Sequence, residues 1–333
     1  MRLIFAAGLA ALAIAAWAPS MFAPFTYDDD HAIRDNPQAQ GVVPISVRNP
    51  RLLTVITYRL NSGGETTFVY HAFNLVIHLL NSFLAFRLIS ALFGDEKLAW
   101  LATSIFLLHP VQVQAVTYLS GRPDLLVTAF SLGAMLAYLR QHYVLAGLAC
   151  VGAALSKEVG IIAVALIAML HLFRTGSRRF AAFSALAVSA FGVLAIYRSG
   201  QFFQSGPSWP NHFLTQNALI WRWASQWLWP TGFSIDFDGG GIGLAAKLAC
   251  VALSGLAVLA AYKIQAIRLP LALIAIPLLP RLLISTRETL AAHHTYLPML
   301  GGSILLGSAL LLVSAWILDD PQQGDSYGFR SRS

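Results

Sequence analysis

Three consecutive carboxylates, Asp28-Asp29-Asp30, follow directly on the first long apolar run of the chain, inside the segment Tyr27 to Pro37. Like charges at adjacent positions repel, which raises at least one carboxyl pKa and is one way to make a usable proton acceptor. Short Asp runs before Asn-Pro, as at Asn36-Pro37, also form ordinary solvated turns, so the residue types alone leave both readings open. A second group of candidates, Asn74, His78 and Asn81, has i, i+4, i+7 spacing and shares a helix face with His71. In lipid such residues seek interhelical hydrogen bonds, although ionisable groups inside a membrane also mark functional sites. Cys150 and Cys250 stand in separate apolar runs, with neither a disulfide framework nor zinc-ligand spacing.

The elements that must carry these residues follow from composition. The chain has 333 residues, 57% of them hydrophobic and 11% charged, whereas a soluble domain carries roughly 25% charged residues. This excludes an ordinary soluble enzyme and predicts an all-α polytopic membrane protein. Apolar runs predict about ten transmembrane helices, at 4–24, 68–93, 98–116, 124–140, 143–156, 160–173, 180–198, 243–262, 269–285 and 299–318. Met1 to Ala23 resembles a signal peptide, but Pro24 disfavours cleavage and the run reads as a retained first helix. The tail, 319–333, reads as disordered and cytoplasmic.

Under strict alternation Arg2, Lys97, Arg140, the Arg174/Arg178/Arg179 cluster, Lys263 and Arg268 fall on one side, which is therefore cytoplasmic. The Asp28 segment, His109 to Asp124, Lys157-Glu158 and Arg287 to Tyr296 then fall on the opposite face. Arg34, Arg48, Arg51, Arg59, Arg122 and Arg287 sit there against the positive-inside bias, held by an anion or by pairing with nearby carboxylates. Two extracytoplasmic segments, 26–67 and 199–242, are long enough for interfacial helices. Trp209, Trp221, Trp223, Trp227 and Trp229 read as headgroup-level anchors in or beside the second. The net charge of +7 is scattered between apolar runs, which points to anionic lipid or a phosphorylated substrate and not to nucleic acid.

A collinear series of short motifs adds a resemblance. Tyr27-Asp28-Asp29 through Asn36-Pro37, Arg51-Leu52-Leu53-Thr54, Thr57-Tyr58, Tyr70-His71, His109-Pro110, Gly121-Arg122 with Asp124-Leu125-Leu126, Ser156-Lys157-Glu158, Pro230 with Asp236, and Tyr296-Leu297-Pro298 follow one another in order. Together they resemble the membrane domain of the transmembrane and tetratricopeptide-repeat O-mannosyltransferases and their bacterial relatives. That resemblance implies a GT-C type bundle spanning 1–318 and a glycosyltransferase that uses a polyprenyl-phosphate sugar, mannose by default. It places the site on the extracytoplasmic face of a multi-pass protein, by expectation in a bacterial inner membrane.

By position the resemblance makes Asp28 and Asp29 the acidic pair beside the reacting centre. Asp28 is the expected base for a hydroxyl acceptor, expected to be protein Ser/Thr, and the sugar transfers with inversion. Arg122 and Lys157, then His109 and His293, are the expected donor-phosphate ligands, with Asp124, Glu158 and Tyr296 supporting them. No tightly bound cofactor is expected, and a divalent metal on the acidic triplet is the weaker alternative. The expected partners are membrane lipid, the lipid-linked sugar, a protein or glycan acceptor, and a separate acceptor-recognition subunit. Gln114 stands where the pattern has Glu, and Ala292-His293 where it has Glu-Arg. Those departures keep a second expectation alive, a non-catalytic membrane subunit or transporter with the same fold.

Overall fold

The computed structural model describes residues 2–63, 66–176, 208–232, 241–284 and 290–317. Among these residues it is an all-α membrane protein. Five helices are long and apolar enough to cross a membrane: Phe68–Phe93, Glu158–Thr175, Leu244–Lys263, Gln265–Leu283 and Pro298–Ile317. A sixth crossing results if Glu96–Leu108 and Pro110–Val116 are taken together; the expected 98–116 span breaks at His109-Pro110, where proline cannot continue the hydrogen-bond ladder. The expected helix at 180–198, the tail at 319–333, Asp236 and Arg287 lie outside the described residues.

The chain divides into two compact units. The first contains 1–84 and 112–200. In it α1 (Arg2–Trp17) leads through a 3₁₀ turn into the acidic loop, and α2 (Leu52–Arg59) and α3 (Phe68–Phe93), the latter as far as Leu84, follow. The loop has a small core of its own, with Ile33, Ala39, Val55, Tyr58, Tyr70 and Leu119 buried together under Phe25, Ala32 and Ile45. Burial of that many apolar side chains, at ~1.5–3 kcal/mol each, is what makes the loop a folded cap and not a tether. Beyond α5 (Val113–Val116), helices α6 (Arg122–Leu139), α7 (Tyr143–Ser156) and α8 (Ile162–Thr175) pack on one another through Ala134, Ala137, Ala146 and Ile167. Small residues let them approach closely: a Cβ on Gly152 would meet the Phe130 ring at 2.6 Å. Gly176, with φ of +66°, closes α8 in the left-handed conformation that other residues avoid.

The second unit contains 85–111 and 201–333. Here α4 (Glu96–Leu108), capped by Asp95, packs on α12 (Pro298–Ile317), and α9 (Trp209–Leu228), α10 (Leu244–Lys263) and α11 (Gln265–Leu283) complete the group. Its core gathers Leu219, Trp223, Leu278, Leu290 and Ala292. Trp223 is therefore a core residue: it is fully buried and its indole N–H donates to the Leu290 carbonyl at 2.8 Å, which corrects the expectation of an interfacial anchor. Trp209 and Trp229 remain exposed.

Candidate active site

In the first unit the acidic triplet is split by its surroundings. Asp28 is exposed, Asp30 pairs with Arg34 at 3.0 Å one turn along, and Asp29 is only 1% exposed. Asp29 accepts four hydrogen bonds. Ser120 donates from its backbone N–H and its hydroxyl to Oδ1, both at 2.7 Å, and Thr26 donates likewise to Oδ2 at 3.0 and 3.4 Å. Burial nevertheless outweighs these bonds and holds the Asp29 carboxyl above its ordinary value. A carboxylate so enclosed acts as a staple between the acidic loop and the 118–121 turn.

Two backbone features flank Asp28. Tyr27 has φ of +50°, a conformation a bulky residue adopts only under constraint, and the strain stands directly before the exposed acid. The segment Asp30–Arg34 then forms a single π turn, which breaks the helical register after Asp29. On the other side the Tyr118 hydroxyl accepts the Asp28 backbone N–H at 3.1 Å.

Arg122 lies just behind, wholly buried. All three guanidinium nitrogens are bonded to protein oxygens: Nε to Asn74 at 2.7 Å, Nη1 to Asn61 at 2.7 Å and the Thr57 carbonyl at 2.9 Å, Nη2 to the Tyr70 carbonyl at 3.0 Å. The rings of Tyr58 and Phe73 lie 4.6 and 4.7 Å from its centre. A buried cation without a carboxylate partner is costly, and this density of oxygens and ring faces offsets the cost. Gly121 precedes it because a Cβ there would sit 2.7 Å from the Gln114 carbonyl. Asn74 also donates to the Val116 carbonyl at 3.2 Å and Asn81 to the Leu125 carbonyl at 2.9 Å. These two residues of the α3 series thus make the interhelical bonds expected of them.

Lys157 and Asp124 form a buried pair, with the ammonium 2.9 and 2.8 Å from the two carboxylate oxygens. Glu158 faces outward to Arg51 at 3.1 Å, and Thr54 fixes the same bend by donating to the Ser156 carbonyl at 2.7 Å. One unit therefore assembles Asp28, Asp29, Arg122, Asp124, Lys157 and Glu158. His109, His293 and Tyr296 belong to the other unit. There the His109 ring accepts from the Val111 N–H at 3.1 Å and meets the Trp227 carbonyl at 3.1 Å, so both ring nitrogens are engaged. His293 stacks at an angle on His294, its centroid 4.1 Å away, and Tyr296 is buried edge-on to Phe106. Gln114 is buried too. Among the described residues no group of three His, Cys, Asp or Glu could hold a metal ion.

Sequence reasoning missed Tyr118, Ser120, Thr26 and Asn61. The available signal was the run Tyr118-Leu119-Ser120-Gly121, a turn-forming stretch immediately ahead of Arg122.

Fold and site together define an all-α membrane protein whose first loop presents one exposed carboxylate beside a buried one. The chain is 33% identical over 140 residues to the Homo sapiens protein O-mannosyl-transferase TMTC3, covering 36% of this chain and 15% of that protein. It is 32% identical over 155 residues to Tmtc1 of Drosophila melanogaster, covering 41% and 18%. Against F38B6.6 of Caenorhabditis elegans it is 26% identical over 180 residues, covering 47% and 26%. Those alignments span about a quarter or less of the length of these relatives. No family model and no solved structure matches the chain.

Proposed function

We propose that the protein is a GT-C type glycosyltransferase of about ten spans, moving a sugar, mannose by default, from a polyprenyl-phosphate donor to a protein Ser/Thr hydroxyl. The reaction takes place on the extracytoplasmic side. The observation that carries the reading is the exposed Asp28 held beside the stapled Asp29 in a folded first loop, in a chain similar to proteins named O-mannosyl-transferases. The acceptor oxygen attacks the anomeric carbon as the bond from that carbon to the phosphate oxygen breaks. The lipid phosphate leaves with the bonding electrons, and the acceptor proton passes to Asp28. One in-line displacement inverts the anomeric centre.

The roles of the cations divide. Arg122 and His109 are positioning residues, their nitrogens spent on protein oxygens and, in His109, also on a backbone N–H. Among the cations of the first unit the donor phosphate then falls to Lys157, which exchanges Asp124 for it. A second reading, a non-catalytic membrane subunit, draws on Gln114 and on Ala292-His293 in place of the acidic and basic groups of the family pattern. One assay separates them: purified protein is incubated with lipid-phosphate sugars and an acceptor peptide, and lipid-phosphate release is followed. Release with any donor supports the transferase, and silence across the panel overturns it.

A further inference from the structure

Five consecutive residues, Tyr118 to Arg122, each make a different tie to the acidic loop or to the helices beneath it. Leu119 accepts the Tyr58 hydroxyl at 2.9 Å, Ser120 holds Asp29, Gly121 allows the close turn, and Arg122 draws Thr57, Asn61, Tyr70 and Asn74 together. Four of the five thereby build the scaffold. Tyr118 differs, because its polar atom reaches past the scaffold to the exposed acid. Its oxygen accepts the Asp28 backbone N–H at 3.1 Å. The phenol is half-buried, and burial raises its pKa, so it remains a neutral hydroxyl through the physiological range.

We infer that Tyr118 is a positioning residue for Asp28, holding its backbone N–H on the phenol oxygen so that the carboxylate is presented to the acceptor hydroxyl. This rests on the transfer reaction proposed above. Its chemical logic is that of a base whose orienter fixes its place: an exposed Asp on an untethered backbone samples several positions, and only those that aim an oxygen at the acceptor take its proton. The phenol keeps its own proton throughout; the proton released by the acceptor goes to the Asp28 carboxylate.

The test is a double-mutant cycle on the purified full chain, with lipid-phosphate release as the readout. Tyr118→Phe removes the hydroxyl and keeps the ring, and it is expected to lower kcat about tenfold with the KM for the lipid-linked donor unchanged. In the Asp28→Asn background the same change is expected to cost less than about twofold, because a residue acting through Asp28 has nothing left to orient. A purely architectural Tyr118 would instead lower both proteins by the same factor and shift melting, and that result overturns the proposal. Wild-type turnover by Tyr118→Phe overturns it as well, while leaving the transferase reading intact. An inert wild-type protein overturns the transferase reading itself and removes the basis of this one.

Discussion

Replacing Asp29 by Asn tests the division of labour within the acidic triplet. The wild-type carboxylate presents two acceptor oxygens to four donors, two of which are backbone N–H groups that cannot turn away. Asn offers one oxygen. If that oxygen stays with Ser120, where both contacts are 2.7 Å, the amide NH₂ faces the Thr26 N–H and leaves a buried donor without an acceptor. An unsatisfied buried donor costs about 1–3 kcal/mol, and the two bonds to Ser120 lose their charge assistance at about 1 kcal/mol each. Relief of the buried charge offsets part of this, so the net loss is about 2 kcal/mol, or about 4–8 °C in melting temperature for a domain of this size.

The pH dependence has a definite sign. Burial holds the folded Asp29 pKa above its ordinary 3.8, so the folded state binds the proton more tightly than the unfolded one. The stability contributed by this group is present at low pH and is lost as pH rises from that ordinary value through the folded one. The Asn variant lacks that dependence, so its deficit relative to wild type is largest in acid and shrinks across the same rise. Melting of both proteins in detergent, followed by tryptophan fluorescence between pH 4 and pH 8, measures both effects. An unchanged melting temperature refutes the staple, and a deficit that grows with pH refutes the dominance of burial.

Three further outcomes follow from the same geometry. Asp28→Asn, at an exposed position, leaves melting unchanged and lowers turnover by about 10²–10⁴-fold in the lipid-phosphate release assay; wild-type turnover would remove Asp28 as the base. Arg122→Lys keeps the charge but cannot reproduce bonds to four residues, and melting falls by the equivalent of about 3 kcal/mol. Donor affinity measured on the folded fraction stays the same, and its specific loss would return Arg122 to phosphate binding. Tyr27→Gly relieves the left-handed strain at φ of +50° and raises melting by the equivalent of about 1 kcal/mol, checked by the same thermal scan; a fall would show that Tyr27 is unstrained.

Much of this was legible in the sequence. The helical membrane class followed from composition, and the place of the acidic loop followed from charge standing directly after an apolar run. What the sequence could not divide was the triplet itself. Asp28 and Asp29 are neighbours of one chemical type, and they differ because Ser120, 91 positions away, reaches only one of them. The enclosure of Arg122 was not legible for a related reason. Two of its partners are the backbone carbonyls of Thr57 and Tyr70, and a carbonyl leaves no mark in a side-chain pattern. Trp223 shows the limit on the other side of the chain: its neighbours Trp221 and Trp227 suggested an anchor row, but only packing against Leu219, Leu278 and Leu290 decides which indole is covered.

The satisfied groups also explain where reactivity can reside. A buried charge with fixed partners is poorly suited to exchange protons, because each change of charge strands the groups around it. In the first unit Asp29 and Arg122 are of this kind, buried and bonded to named partners. Asp28 is not: it is exposed, anchored at its backbone and braced from one side. That combination lets a carboxylate gain a proton without unsettling the fold. The enclosed charges therefore serve as the rigid frame, and in the transfer reaction proposed above the acceptor's proton goes to the exposed acid beside them.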